Sequence, residues 1–122
     1  IIACEIESST PLKSAKINGK PVKVQRGKSW VDGIGSTSIL MEMWPLLDAL
    51  VDDVIVVSNF EVEQALRSLS TKAHLVSEGA GAVALAAAMS SQFCGKKIVA
   101  VISGGNIDVK TYSAILNQTN SI

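Results

Sequence analysis

The sequence is short of aromatics, histidine, cysteine and net charge, and each shortage excludes something. Phe, Trp and Tyr make up 4% of its 122 residues, while apolar residues make up 48%. The core must therefore be aliphatic and alanine-rich, which suits packed α/β layers better than an all-β sandwich. Few aromatics also leave no stacking platform for single-stranded nucleic acid. His74 is the only histidine and has no carboxylate or thiol beside it in sequence. It reads as a surface or loop residue. Cys4 and Cys94 lie in or beside apolar runs, with no CxxC or other metal-type spacing. They read as buried, reduced thiols of a cytosolic protein. Eleven basic and eleven acidic residues cancel, so no bulk attraction to nucleic acid or membrane is expected. The basic residues Lys13, Lys16, Lys20, Lys23, Arg26 and Lys28 have no acid among them. Without interleaved aromatics they read as a solvated face. The most apolar stretch, Ala80 to Met89, is too short to span a bilayer, and no secretory signal pattern is present. The chain opens on an apolar run without Met, which reads as the middle of a longer protein.

Against these absences stand several β-branched runs, each ending in polar residues. The most informative is Lys97 to Ile102, followed by Ser103-Gly104-Gly105-Asn106. The run is too short for a helix and predicts a buried parallel strand. In open α/β sheets, ligands bind outside the carboxyl ends of such strands. Glycines let backbone approach a ligand, and Ser103 and Asn106 offer a hydroxyl and an amide. A plain strand-to-helix turn would explain the same residues.

Ile1 to Glu5 predicts a short strand ending in a carboxylate. Ser8-Ser9-Thr10 then forms a cap cluster before Pro11 at the first helical position, with a helix over Leu12 to Ile17 and a turn at Asn18-Gly19. Lys20 to Lys28 reads as extended. Trp30 to Ser38 is a loop containing Asp32 and Gly33, in which binding groups are often carried. Pro45 breaks the next helical pattern, leaving a turn and then a helix from Pro45 to about Leu50. Val54 to Val57 predicts a second buried strand. Asp52-Asp53 before it reads as a solvated pair. Ser58 and Glu61 form a capping box for a helix to about Thr71, with Val62, Ala65, Leu66 and Leu69 on one buried face. Leu75 to Ser77 is a brief strand candidate. Glu78 then precedes an almost wholly small, apolar helix to about Met89, buried because it is apolar all round. Val109 to Asn117 makes a last amphipathic helix, and Gln118 to Ile122 reads as a frayed tail. This alternation predicts an α/β fold, a parallel sheet with helices on both faces.

The strand ending at Glu5, Asp32-Gly33, Ser77-Glu78-Gly79-Ala80-Gly81-Ala82 and Ile102-Ser103-Gly104-Gly105-Asn106 follow one another in that order. With Trp44-Pro45-Leu46-Leu47, Val51-Asp52-Asp53-Val54 and the Ser58 capping box, they resemble the C-terminal part of serine/threonine dehydratases and serine racemases, the fold-type II pyridoxal-phosphate enzymes. The resemblance covers nearly the whole chain. It implies that residues 1–117 form the C-terminal part of a cofactor-binding large domain. It also implies that Ser103 hydrogen-bonds the pyridine nitrogen of pyridoxal phosphate. A hydroxyl there, unlike a carboxylate, does not hold that nitrogen protonated, so the ring is a milder electron sink, which favours β-elimination. Gly104 and Asn106 would shape the pocket floor, Glu78 and Gly33 would lie near the cofactor, and Asp32 and Gly33 would line the substrate pocket.

The departures are specific. Glu5-Ile6 and Glu78-Gly79 stand where the family often has Glu-Pro. Some members bind a divalent cation through a Glu at the first position and an acid six residues later. Glu5 matches the first, whereas Pro11, with no side-chain ligand, occupies the second and leaves only a backbone carbonyl to contribute there. The family's cofactor-bearing lysine and glycine-rich phosphate loop have no match, so no catalytic residue is assigned to this chain. The resemblance thus implies part of a lyase removing water and ammonia from a β-hydroxy amino acid. The remaining N-terminal portion would supply the lysine, and the protein would be a homodimer, with no nucleic-acid or membrane partner. Alternatives on the same fold are serine racemase, hydroxyaspartate dehydratase, threonine synthase or a β-replacement enzyme. A non-enzymatic binding module is the alternative of another class.

Overall fold

A computed structural model describes residues 1–118. The expectation of a tail from Gln118 falls, from Thr119 on, outside the described residues. The chain divides into two compact units, one of Ile1–Asn59 and one beginning at Phe60.

The first unit is built on a parallel strand pair. Strand β1 (Ile2–Ile6) lies in register with β2 (Asp53–Val57), Ile2 opposite Asp53 and Ile6 opposite Val57. Parallel strands need a long crossover, and helices α1 (Pro11–Asn18) and α2 (Trp44–Leu50) lie within it. Pro11 stands at the start of α1 as expected, and Gly19 ends the helix in the left-handed conformation at φ 66° that glycine adopts without steric cost. The turn before Pro45 is present, and α2 follows it. Leu12, Val51 and Val54 form a buried apolar cluster, with Ala3, Ile39, Trp44 and Leu47 packed against it.

The serine and threonine cluster does not cap α1. Thr10 occupies the N-cap position and makes no side-chain cap hydrogen bond. The cap is Glu5, whose two carboxylate oxygens accept the N–H groups of Leu12 at 2.7 Å and Lys13 at 3.0 Å. Glu5 is buried. Burial also raises the pKa of the half-buried Cys4 thiol, because an apolar surrounding disfavours the thiolate. Cys94 is exposed.

The second unit is helical among its described residues. Helix α3 (Asn59–Ser68) begins directly after Ser58, and Val62, Ala65, Leu66 and Leu69 are all buried, as their spacing predicts. The helix does not continue to Thr71 as an α-helix. Residues Leu69–Ala73 form a π-helical turn, stopped by His74 in the left-handed conformation at φ 56°. Helix α4 (Gly79–Ala88) buries Gly79, Gly81, Ala82, Val83, Ala86 and Ala87. Helix α5 (Val109–Asn117) is capped by Asp108, whose carboxylate accepts the Thr111 N–H at 2.9 Å. That bond, together with the Thr111 hydroxyl, holds the Asp108 carboxyl below the usual aspartate range. Arg67 on α3 donates to the Ile115 carbonyl at 2.8 Å, and the Tyr112 hydroxyl donates to Ser70 at 2.9 Å.

Two expected strands are not formed. Residues 97–102 and 75–77 have no ladder partner among the described residues. Val99 is 93% exposed and Val101 71%. A parallel strand exists only through neighbours that take its N–H and C=O groups, and a β-branched run supplies none of these itself. The parallel β1–β2 pair with its helices nonetheless makes the unit α/β, the expected class. No helix among the described residues is long and apolar enough to cross a membrane.

Candidate active site

The second unit brings four of the predicted site residues together: Glu78, Ser103, Gly104 and Asn106. Glu78 opens α4 with extended backbone, φ −81° and ψ 168°, and its carbonyl accepts the Ala82 N–H at 3.1 Å. Its side chain makes no cap hydrogen bond. It turns instead to the loop after Ile102, where its carboxylate accepts the Asn106 N–H at 3.2 Å. The Glu78 N–H donates to the Gly104 carbonyl at 3.2 Å. Backbone and side chain of one residue thus clasp the turn.

Two glycines are required by this arrangement. Gly104 has φ 67°, a left-handed conformation, and a Cβ there would overlap the Glu78 carboxylate. Gly81, inside α4, faces the Ser103 carbonyl so closely that a Cβ would collide with its oxygen. The Ser103 N–H donates back to the Gly81 carbonyl at 3.4 Å. Ser77, fully buried, donates its hydroxyl to the Glu78 carbonyl at 3.0 Å and supports the start of the helix. The turn from Ser103 to Asn106 therefore lies backbone-to-backbone on the first turn of α4. The Ser103 hydroxyl and the Asn106 side-chain amide are exposed, and neither is hydrogen-bonded to any described residue.

Asp32 and Gly33 belong to the first unit. Both are exposed on a loop anchored by Val31, which is 1% exposed. The Val31 N–H donates to the Ser29 hydroxyl at 3.0 Å. Arg26 reaches the Asp32 and Ile34 carbonyls at 3.5 and 3.4 Å, the limit of a hydrogen bond. Glu5, the implied metal position, has both oxygens engaged by backbone N–H groups, and Pro11 offers no side chain. Among the described residues no group of three His, Cys, Asp or Glu side chains gathers to hold an ion. The donor set at Glu5 does not fit a metal.

Sequence reasoning missed the close approach at Gly81 and the capping role of Glu5. Gly81 carried a signal, a glycine three residues after Glu78 inside an alanine-rich helix. Glu5 carried none, because its partners lie seven and eight residues further on.

A family model described as pyridoxal-phosphate dependent enzyme matches residues 1–104. The chain belongs to this family. It is 35% identical over 120 residues to an L-threonine ammonia-lyase of Geobacter sulfurreducens, covering 97% of this chain and 30% of that protein. An L-threonine ammonia-lyase of Thermotoga maritima is 32% identical over 119 residues, with 97% and 30% covered. The chain thus spans about 30% of the length of these curated relatives. Maize serine racemase matches its structure with a TM-score of 0.83 at 30% identity, over 93% of this chain and 38% of that one. A threonine deaminase from T.th. matches with a TM-score of 0.81 at 27% identity, over 88% and 37%. These likenesses place the chain on the fold-type II pattern, with pyridoxal phosphate as the cofactor of its family.

The residues of the turn fit that cofactor. Ser103 presents a neutral hydroxyl with no partner among the described residues, suited to a pyridine nitrogen. The glycines bring backbone to the surface beside it.

Proposed function

We propose that the chain is the C-terminal part, over residues 1–117, of the cofactor-binding domain of a lyase. The lyase removes water and ammonia from a β-hydroxy amino acid of the serine/threonine type. The observation that carries this reading is the clasped turn, which presents an unengaged Ser103 hydroxyl on a backbone fixed by Glu78, Gly81 and Gly104. Likeness to two L-threonine ammonia-lyases over nearly the whole chain supports the substrate class.

In this reading Ser103 donates its hydroxyl to the pyridine nitrogen. Gly104 and Asn106 form the floor, Glu78 lies near the ring, and Gly33 approaches the cofactor. Asp32 and Gly33 line the substrate pocket. Bound pyridoxal phosphate supplies the electron sink for the bond cleavage. A hydroxyl orients the ring without fixing a full positive charge on its nitrogen, which suits elimination over transamination. The lysine that holds the cofactor belongs to the rest of the polypeptide, so residues 1–122 alone are expected not to turn over. A homodimer in the cytoplasm is the expected state.

The test uses the intact protein. It should bind pyridoxal phosphate, shown by visible absorbance that borohydride bleaches, and should release a 2-oxo acid and ammonia from serine or threonine. Ser103→Ala should lower elimination about tenfold, the loss of one hydrogen bond to the ring nitrogen, with an unchanged melting temperature. No pyridoxal-phosphate binding by the intact protein sinks the enzyme reading. Inverted serine as the main product would select a racemase, the activity in the name of the maize structure.

A further inference from the structure

The clasped turn raises the question of what the Glu78 carboxylate does. It lies at the head of α4, where a carboxylate ordinarily caps the helix or complements its dipole. Its side chain makes no cap bond. In the proposed reading one use is to lie near the cofactor. The structure offers a second, because the carboxylate accepts the Asn106 N–H at 3.2 Å and fills the space that a Cβ on Gly104 would occupy. Those two residues flank Gly105, whose own Cβ would be only 3.3 Å from the Val76 carbonyl. The turn is therefore confined on both sides, with the Glu78 carboxylate as the one side chain among these contacts.

We infer that Glu78 is a positioning residue: its carboxylate braces the Ser103–Asn106 turn through the Asn106 N–H and so fixes where the Ser103 hydroxyl points. Three hydrogen bonds carry the brace. The Glu78 N–H holds the Gly104 carbonyl, the Asn106 N–H is held by the carboxylate, and the Ser103 N–H is held by the Gly81 carbonyl. The first and third are backbone to backbone and persist in any side-chain variant. The second depends on an acceptor at the end of a side chain of this length. A hydroxyl aimed by backbone alone keeps the freedom of a four-residue glycine-rich turn; the carboxylate removes it.

The inference rests on the reading that Ser103 holds the pyridine nitrogen, and its test separates the two. Glu78→Gln keeps an oxygen acceptor and loses the charge; Glu78→Ala loses both. In the intact protein without cofactor, amide exchange at Asn106 should rise about tenfold in Glu78→Ala, the loss of one charge-assisted bond. In Glu78→Gln it should stay within about twofold. After loading with pyridoxal phosphate, Glu78→Ala should shift the cofactor's visible absorption and Glu78→Gln should keep the unsubstituted band. Should Glu78→Ala fail to fold, Glu78→Asp, one methylene too short to reach Asn106, carries the same expectation. Unchanged exchange in the shortened variants overturns the brace. So does a Gln variant that keeps the unsubstituted exchange but shifts the absorption band as Ala does, since charge at the ring, not an acceptor on the turn, would then be the cause. If the unsubstituted protein binds no pyridoxal phosphate, the functional reading fails alone, and the exchange comparison decides the brace by itself.

Discussion

Gly81→Ala is expected to destabilise the second unit by about 4 kcal/mol, although alanine is the better helix former. Inside a helix, alanine is favoured over glycine by about 1 kcal/mol. Here that gain is overwhelmed. The new Cβ would collide with the Ser103 carbonyl oxygen and lie 2.6 Å from both the Ser103 carbonyl carbon and the Ser77 hydroxyl. None of these neighbours yields cheaply. The Ser103 atoms are backbone, and Ser77 is fully buried with its hydroxyl on the Glu78 carbonyl. Relief requires lifting the turn from α4, which breaks the hydrogen bonds from Ser103 to Gly81, from Glu78 to Gly104 and from Asn106 to Glu78. Overpacking costs about 1–3 kcal/mol, and each lost bond adds about 1 kcal/mol. With the propensity gain subtracted, about 4 kcal/mol remains. If the turn holds the cofactor, affinity for pyridoxal phosphate should fall on the order of a hundredfold. Thermal melting and a cofactor titration of the intact protein check both. A variant that melts at or above the unsubstituted temperature would refute the contact between Gly81 and Ser103.

That glycine marks the boundary of what is legible from sequence. Local rules work where cause and effect are close in the chain. Pro11 at the start of α1, Gly19 at its end, and the buried face Val62, Ala65, Leu66 and Leu69 depend on nearest neighbours and period. The ordered motifs also identify the family, because Ser77–Ala82 and Ile102–Asn106 hold their spacing. Such rules fail where the partner is distant. The run from Lys97 to Ile102 has the composition of a buried strand, but a strand is a relation between chains of peptide groups. Among the described residues nothing supplies the other side. Adjacency assigns the cap of α1 to Ser8-Ser9-Thr10. The fold uses Glu5, carried on β1. The motifs name Glu78, Gly104 and Asn106 as cofactor residues, yet the hydrogen bonds that tie Gly104 and Asn106 to Glu78 join residues some 26 to 28 positions apart, which no local spacing specifies. Asp32 and Gly33 join them only by resemblance, and the structure describes that loop within the first unit.

Glu5→Ala should cost the first unit about 3 kcal/mol, and the same residue separates a structural cap from a metal ligand. The start of α1 can be accounted for donor by donor. Pro11 has no N–H. Leu12 and Lys13 donate to the two Glu5 oxygens at 2.7 and 3.0 Å. Ser14 donates to the Thr10 carbonyl at 3.1 Å. Removing the carboxylate orphans two donors. The Leu12 bond is buried and costs about 1–3 kcal/mol to leave unmade. The Lys13 bond is partly buried, so water repays some of its loss. The attraction between a carboxylate and the positive end of a helix adds up to about 1 kcal/mol. Glu5→Gln is the sharper variant. Its oxygen accepts one N–H, but its NH₂ faces the other donor, so about 2 kcal/mol should still be lost. A cap and a metal ligand then diverge on chelation. For a cap, a chelator leaves the melting temperature of the unsubstituted protein unchanged, and the Gln variant melts lower by the same margin with or without magnesium. For a ligand, the chelator brings the unsubstituted protein down to the Gln variant and the margin vanishes. The first result follows from both oxygens being held by backbone; the second would show that Glu5 turns away from α1 to an ion.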